Sequence, residues 1–390
     1  MKITDMRVWL TAIPVEGTGS RTWVFIEVDT DEGITGVGEA SSTGGGGSVV
    51  VGSMVRMLRD STVVTDFRES LVGEDPEDID RIWHKLWRRF TGGGGWGGFV
   101  TTLVSGIDIA LWDIKGKALG KPIYNLLGGK FRDSILLYTH VTPGDPQRAA
   151  NHARSLVAQG FTALKTDPFM PEMRAHHRRY TSGQISAEGA ANGEATIAAI
   201  REAVGPNIGV MIDAHGNFNV PTAIKLCRRM EPYDLTWFEE PVQPESYDAL
   251  RQVRENVELP ICVGERLYTR FGFVPIFKDR LADYIMPDIV WTGGITEMRK
   301  IANMAEAFHI PVTPHDANGP INILAGAHTM MSVPNFYRLE MVSGWMDNYN
   351  ACIDPPLDVR GGYLYLSGRP GLGVELNKDF LKAHSDPDWK

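Results

Sequence analysis

With 390 residues, 43% of them hydrophobic and 22% charged, the chain has an ordinary globular composition and enough length for two domains, or for one large barrel carrying a second unit. A net charge of -9 leaves no basic face for nucleic acid and no polybasic anchor for a membrane surface, and no apolar run approaches the roughly 20 residues of a membrane span. Three widely spaced cysteines in apolar settings (Cys227, Cys262, Cys352) offer neither a disulfide framework nor zinc spacing, and the N-terminus lacks a signal-peptide core, so the expectation is a cytoplasmic protein with free thiols.

Residues 1–132 read as an α+β unit. Lys2–Leu10 alternates as a strand; Val24–Thr30, the turn Asp31–Gly33 and Ile34–Gly38 form a hairpin. Glycine-rich stretches at 14–20 and 41–48 read as mobile loops, and helical patterns follow around Val50–Asp60, Pro76–Phe90 and Phe99–Leu119. The glycine cluster Gly92–Gly98 precedes the last helix, but no Lys-Ser/Thr pair follows it, which argues against a phosphate cradle.

From about Ser134 short apolar strands alternate with amphipathic helices such as Pro221–Met230 and Ile295–Phe308, the pattern of βα units. The strands are expected at Ile135–Val141, Ala163–Thr166, Ile208–Ile212, Leu235–Phe238, Ile261–Val263, Tyr284–Met286, Val312–Pro314 and Phe336–Leu339. Eight such strands predict an α/β fold, a (β/α)8-type barrel over residues 133–358. The polar insertion from Phe169 to Gly193 reads as a lid, with solvated histidines at 176 and 177.

From the second strand onward each one ends in polar residues: Lys165 and Asp167, Asp213 and His215, Glu239, Glu265, Asp288, His315 and Glu340. Asp213-Ala-His215 alone reads equally well as a capped turn. The spacing from Asp213 through Glu239, Glu265, Asp288, His315 to Glu340 is 26, 26, 23, 27 and 25 residues, however. One βα unit has this length, so these groups share the C-terminal mouth of the barrel. Three carboxylates on successive tips would repel one another unless a cation neutralised them, and an oxygen-only trio favours Mg²⁺, with Mn²⁺ as the substitute. Asp288 and His315, on neighbouring strands, suit a carboxylate holding one imidazole N–H. His215 leaves the same strand face as Asp213 and brings a second imidazole to the metal, across the mouth from His315.

These residues resemble the enolase superfamily, mandelate racemase subgroup, and within it the D-galactonate dehydratase group and related acid-sugar dehydratases. The resemblance rests on Ser105-Gly-Ile-Asp-Ile-Ala-Leu-Trp112 and its continuation to Gly120, Leu126-Leu-Gly-Gly129, Phe238-Glu-Glu-Pro-Val242, Gly264-Glu-Arg266, Met286-Pro-Asp288, Gly293-Gly-Ile-Thr296 with the residues to Ala302, and Pro314-His315. It implies that residues 1–132 cap the barrel, that residues 359–390 return to that cap, and that the protein is a homo-oligomer acting on a small sugar acid. It also implies one Mg²⁺ per subunit on Asp213, Glu239 and Glu265, binding the substrate carboxylate. In that pattern His315, assisted by Asp288, is the base at C2; His215 is the acid that helps the 3-hydroxyl leave; Glu340 hydrogen-bonds a carboxylate or enediolate oxygen; and the product is a 2-keto-3-deoxy sugar acid. Racemising relatives carry Lys-x-Lys at the second strand, whereas this chain has Lys165-Thr-Asp167. The lysine base is absent, which leaves Asp167 for a substrate hydroxyl and Lys165 as a substrate-binding group that also balances charge. Two other readings stay open at this point: an epimerase or cycloisomerase using His215 and His315 as opposed bases, and a sugar-acid-binding protein without catalysis.

Overall fold

The computed structural model describes residues 1–15, 19–41, 58–59, 67–91, 97–175 and 182–385. The expected helix at Val50–Asp60 (apart from Leu58 and Arg59), nearly all of the 41–48 loop and the two histidines at 176 and 177 lie outside the described residues. N-terminal alternation carries further than expected. Strand β1 (Ile3–Val15) pairs antiparallel with β2 (Gly19–Thr30), from Ile3 opposite Thr30 to Val15 opposite Gly19, so most of the stretch expected as a mobile loop is ladder. Strand β3 (Thr35–Glu39) adds to β2 after the turn.

Helix α2 (Gly98–Ala118) lies on this sheet, and helix α1 (Ile79–Thr91) packs against α2. Helix α2 is buried on most of its circumference because the sheet lies on one side and the barrel on the other. Its backbone approaches β3 so closely that a Cβ on Gly38 would overlap the carbonyl oxygen of Gly106, and one on Gly36 the carbonyl of Ala110. Glycines here are a packing requirement. They seat the end of β3, and with it Glu39, deep against the second domain.

That domain is a parallel barrel. Strands β4 (Ile135–His140), β5 (Ala163–Thr166), β6 (Gly209–Asp213), β7 (Trp237–Glu239), β8 (Ile261–Val263) and β9 (Tyr284–Ile285) pair in chain order. Single parallel bridges continue the circuit from Ile285 to Val312 and from Val312 to Phe336, and β10 (Leu339–Glu340) closes it on β4. All eight strand positions were expected; the seventh holds by isolated bridges, and the ladder of the eighth begins only at Leu339. Tyr138, Ala163, Met211, Trp237, Cys262 and Met286 fill the barrel interior. The three cysteines are free and buried. Among the described residues no helix is long and apolar enough to cross a membrane.

The motif beginning at Ser105 and the one beginning at Gly293 meet between the domains. Ser105 Oγ accepts from Gly293 N (2.9 Å), Asp108 Oδ2 from Thr296 N (3.0 Å), and Trp112 Nε1 donates to Thr296 Oγ1 (2.9 Å). Trp83 Nε1 donates to the Gly293 carbonyl (2.8 Å). A buried N–H left without its acceptor here would cost about 1–3 kcal/mol. After β10 the chain forms a hairpin, Asp358–Arg360 with Tyr363–Tyr365, on the start of β4. It then crosses to the N-terminal domain, where Leu372 N donates to Asp113 Oδ1 (2.7 Å) and Lys378 pairs with Glu27 (2.9 Å).

Because α2 presses on β3, Gly38→Ala should lower the melting temperature by the equivalent of about 1–3 kcal/mol or more, the cost of overpacking. A melting temperature equal to that of the unmodified protein would show that the helix does not press on the strand.

Candidate active site

Parallel strands put their C-terminal ends at one mouth, and the pairing register matches their depth: Asp213 on β6 lies directly opposite Glu239 on β7. Glu265 follows β8 by two residues. One carboxylate oxygen from each of the three lies within 4.8 Å of the others, and all three residues are buried. Lys165, only 2% exposed at the end of β5, sends its ammonium between the carboxylates, 2.9 Å from Glu239, 2.6 Å from Glu340 and 3.6 Å from Asp213. One lysine does not neutralise the cluster. Burial and the Asp213 charge push Glu239 well above the usual carboxylate range in spite of Lys165. The donor set is oxygen only, with no thiolate and no imidazole in the trio, and it fits a hard divalent cation such as Mg²⁺.

Two imidazoles flank the trio, and each is held from behind. His315 Nδ1 lies 2.6 Å from Asp288 Oδ2, and its Nε2 is 3.3 Å from Glu265 Oε2. The carboxylate partner, an obligate acceptor when ionised, places the proton on Nδ1 and turns Nε2 into the mouth. The expected neighbour relation between these two strand ends is present as a parallel bridge, Asp288 to His315. Trp291 covers the His315 ring at 5.1 Å between centroids.

At the opposite end of the trio, His215 Nδ1 lies 2.9 Å from Asp167 Oδ2 and its Nε2 3.2 Å from Asp213 Oδ2. Asp167, expected at a substrate hydroxyl, holds His215 with Oδ2 and accepts the backbone N–H of Phe169 and of Met170 on Oδ1 (both 2.9 Å). His215 sits in left-handed backbone (φ 50°), a conformation costing roughly 1–2 kcal/mol outside glycine. Gly216 follows it there (φ 62°) and donates to the Glu240 carbonyl (2.7 Å), while His215 N donates to Asp213 Oδ1 (2.8 Å). This turn folds the imidazole back over the strand tip. Although burial opposes charge on both rings, the carboxylates prevail: Asp213 and Asp167 raise His215 to about 10, and Glu340, Glu265 and Asp288 raise His315 well above its ordinary value.

Glu340, at the tip of β10, is 0% exposed and binds both Lys165 and His140 Nε2 (2.5 Å). His140 was not singled out from the sequence, although it is the polar tip of the first strand. The signal was present: extending that strand to Val141 hid a histidine at the same depth as Lys165, its partner in the β4–β5 ladder. The pairing of Asp167 with His215 also went unread, because the two are 48 residues apart and only adjacent strand tips bring them together.

The chain and its fold have relatives. Residues 148–380 match the family described as enolase C-terminal domain-like, and residues 4–128 match the mandelate racemase / muconate lactonizing enzyme N-terminal domain. The chain is 33% identical to the D-xylonate dehydratase of Haloferax volcanii over 98% of this chain and 89% of that protein, and 34% identical to the D-galactonate dehydratase of Pectobacterium atrosepticum over 94% and 93%. The crystal structure of a mandelate racemase/muconate lactonizing enzyme-like protein from Roseovarius sp. TM1035 superimposes with a TM-score of 0.88, at 32% identity, covering 99% of this chain and 96% of that one. Two family matches that together span almost the whole chain, and relatives of this identity and coverage, lead to one assignment: the chain belongs to the enolase superfamily, in its mandelate racemase/muconate lactonizing enzyme branch.

Proposed function

We propose that the protein is a Mg²⁺-dependent hydro-lyase that dehydrates an acid sugar, an aldonate of the galactonate, gluconate or xylonate type, to a 2-keto-3-deoxy acid. The observation that carries this reading is the pair of carboxylate-held imidazoles at opposite ends of one oxygen-only carboxylate trio. A cation held by Asp213, Glu239 and Glu265 supplies positive charge for the substrate carboxylate and for the negative charge that develops when its α-proton leaves. The dehydratase names of the two curated relatives favour elimination over proton exchange alone.

In this reading His315 takes the C2 proton on Nε2 as the neutral imidazole, the form that a cation on Asp213, Glu239 and Glu265 would favour by offsetting the carboxylate charge that raises the ring, while Asp288 fixes its tautomer and supports the imidazolium that forms. His215 donates its Nε2 proton to the departing 3-hydroxyl, with Asp167 in the same supporting place. The C2–H electron pair becomes the C2–C3 double bond, the C3–O bond breaks, and water leaves. The resulting enol takes a proton at C3 and becomes the 2-keto acid. An aliphatic hydroxyl leaves poorly without a proton donor, and one placed acid or base contributes about 10² to 10⁴ in rate. Lys165 and Glu340 line the floor, where they balance charge and present a carboxylate to the substrate's oxygen-rich end. Asp167 is a positioning residue for the acid.

The same two imidazoles would serve an epimerase, so the first test separates the two chemistries. Incubated with Mg²⁺ and a panel of aldonates, the protein should convert at least one to a 2-keto-3-deoxy acid. If no keto acid forms but one aldonate exchanges its C2 proton for deuterium, dehydration is the wrong reaction and epimerisation takes its place. Among variants, His315→Asn should lose both C2 exchange and dehydration by about 10² to 10⁴. His215→Asn should lose dehydration while C2 exchange persists, and equal loss of both activities would refute the division of roles. Asp167→Asn should follow His215→Asn in pattern with a smaller loss, on the order of 10–100-fold; an effect on substrate KM alone would return Asp167 to substrate binding.

A further inference from the structure

Helix α3 (Pro320–Met331) begins without a cap of its own. Its N-cap residue is Gly319, which has no side chain to offer, and Pro320 occupies the first position. The orphan N–H groups of such a helix need an acceptor. They find it in the other domain. Glu39, at the end of β3 and 0% exposed, accepts from Gly319 N (2.6 Å) on Oε1 and from Ile321 N (3.1 Å) and Asn322 N (3.0 Å) on Oε2. A negative charge at this end is also favoured by the helix dipole.

The residues this cap immobilises lead directly to the base. Asn322, whose backbone N–H is held by Glu39, sends Nδ2 toward Asp288 Oδ1 (3.4 Å) and Asp316 Oδ1 (3.0 Å), and its Oδ1 accepts from Asn318 N (3.3 Å). Asn318 Nδ2 donates to Asp288 Oδ2 (3.1 Å), the oxygen that holds His315 Nδ1. With Val290 N on Oδ1 (2.8 Å), each oxygen of the Asp288 carboxylate has two partners. Two of its four donors hang on the loop and first turn that Glu39 fixes.

We infer that Glu39 is a positioning residue for the proton-transfer chemistry: seating the N-terminal domain caps α3 across the interface, locks Asn318 and Asn322 on Asp288, and so aims His315 into the mouth. The inference rests on His315 being the base proposed above. Closure of the cap domain and competence of the base are then one event. A barrel without its partner domain would keep His315 but lose its aim.

The test uses the full chain with Mg²⁺ and whichever aldonate it dehydrates. Glu39→Ala should lower kcat, measured on the folded fraction, by about 10–100-fold, the usual cost of losing a supporting hydrogen bond, with KM little changed. Glu39→Gln, which keeps oxygen acceptors for part of the donor set, should recover part of the loss. Asn318→Ala lies beyond the interdomain contact and should reproduce the kcat loss without the fall in melting temperature, so it carries the test if Glu39→Ala does not fold. A lower melting temperature with unchanged kcat in Glu39→Ala, or an unchanged kcat in Asn318→Ala, would overturn the inference. A second readout needs no substrate. The downfield imidazole N–H proton of His315, identified by its loss in His315→Asn, should move in Glu39→Ala and Asn318→Ala; an unmoved resonance would overturn the inference, whereas absence of turnover on any aldonate would count against the proposed reaction alone.

Discussion

Like-charge repulsion among Asp213, Glu239 and Glu265 is the constraint around which the rest of the molecule is arranged. Neighbouring strands stand about 4.8 Å apart, so carboxylates on three successive tips cannot separate without breaking the ladder. Their oxygens lie within 4.8 Å of one another in a buried setting, where the charges are weakly screened. Lys165 and the two imidazoles relieve part of that repulsion. A buried trio that no internal cation balances is costly for folding and useful for holding a divalent ion.

The ring itself is built from pairs. Asp288 with His315 and Asp167 with His215 are the same device at the two ends of the trio, each with Nδ1 toward its carboxylate and Nε2 toward the cluster. They differ in setting. His315 is deeply buried under Trp291, whose Nε1 donates to the Ser41 carbonyl (2.9 Å) of the N-terminal domain. His215 is 41% exposed in its side chain and stands on a strained turn. A proton abstracted from carbon calls for a rigid, water-shielded base, and a departing hydroxyl calls for an acid with a route to solvent. The two environments suit the two proposed roles.

Much of this is legible in the sequence because a barrel repeats. The recurring spacing of about 26 residues puts Asp213, Glu239 and Glu265 on successive tips. His215 was expected beside Asp213 by strand alternation, but β6 ends at Asp213 and it is the left-handed turn after it that brings the imidazole back to that carboxylate. What escapes are relations between distant segments. Asp167 and His215 belong to different βα units, and no local pattern pairs them. His140 is concealed by a strand end drawn one residue too far. The stretch around 14–20 looks like a loop by its glycines, yet β-pairing carries the strands to Val15 and from Gly19, an instance of tertiary context overriding local propensity. Glu39 gives no signal at all, since its partners are backbone N–H groups some 280 residues away.

On this reading the carboxylate trio is a divalent-cation site. Thermal unfolding of the full chain in Mg²⁺ and in EDTA, for the unmodified protein and for Glu239→Gln, tests it without reference to any substrate. A ligand that binds only the folded state stabilises it by about 2.7 kcal/mol at a hundredfold excess over its dissociation constant. Saturating Mg²⁺ should raise the melting temperature of the unmodified protein and leave Glu239→Gln nearly where EDTA leaves it. An unmodified protein indifferent to Mg²⁺, or a variant that gains as much as the original, would contradict it.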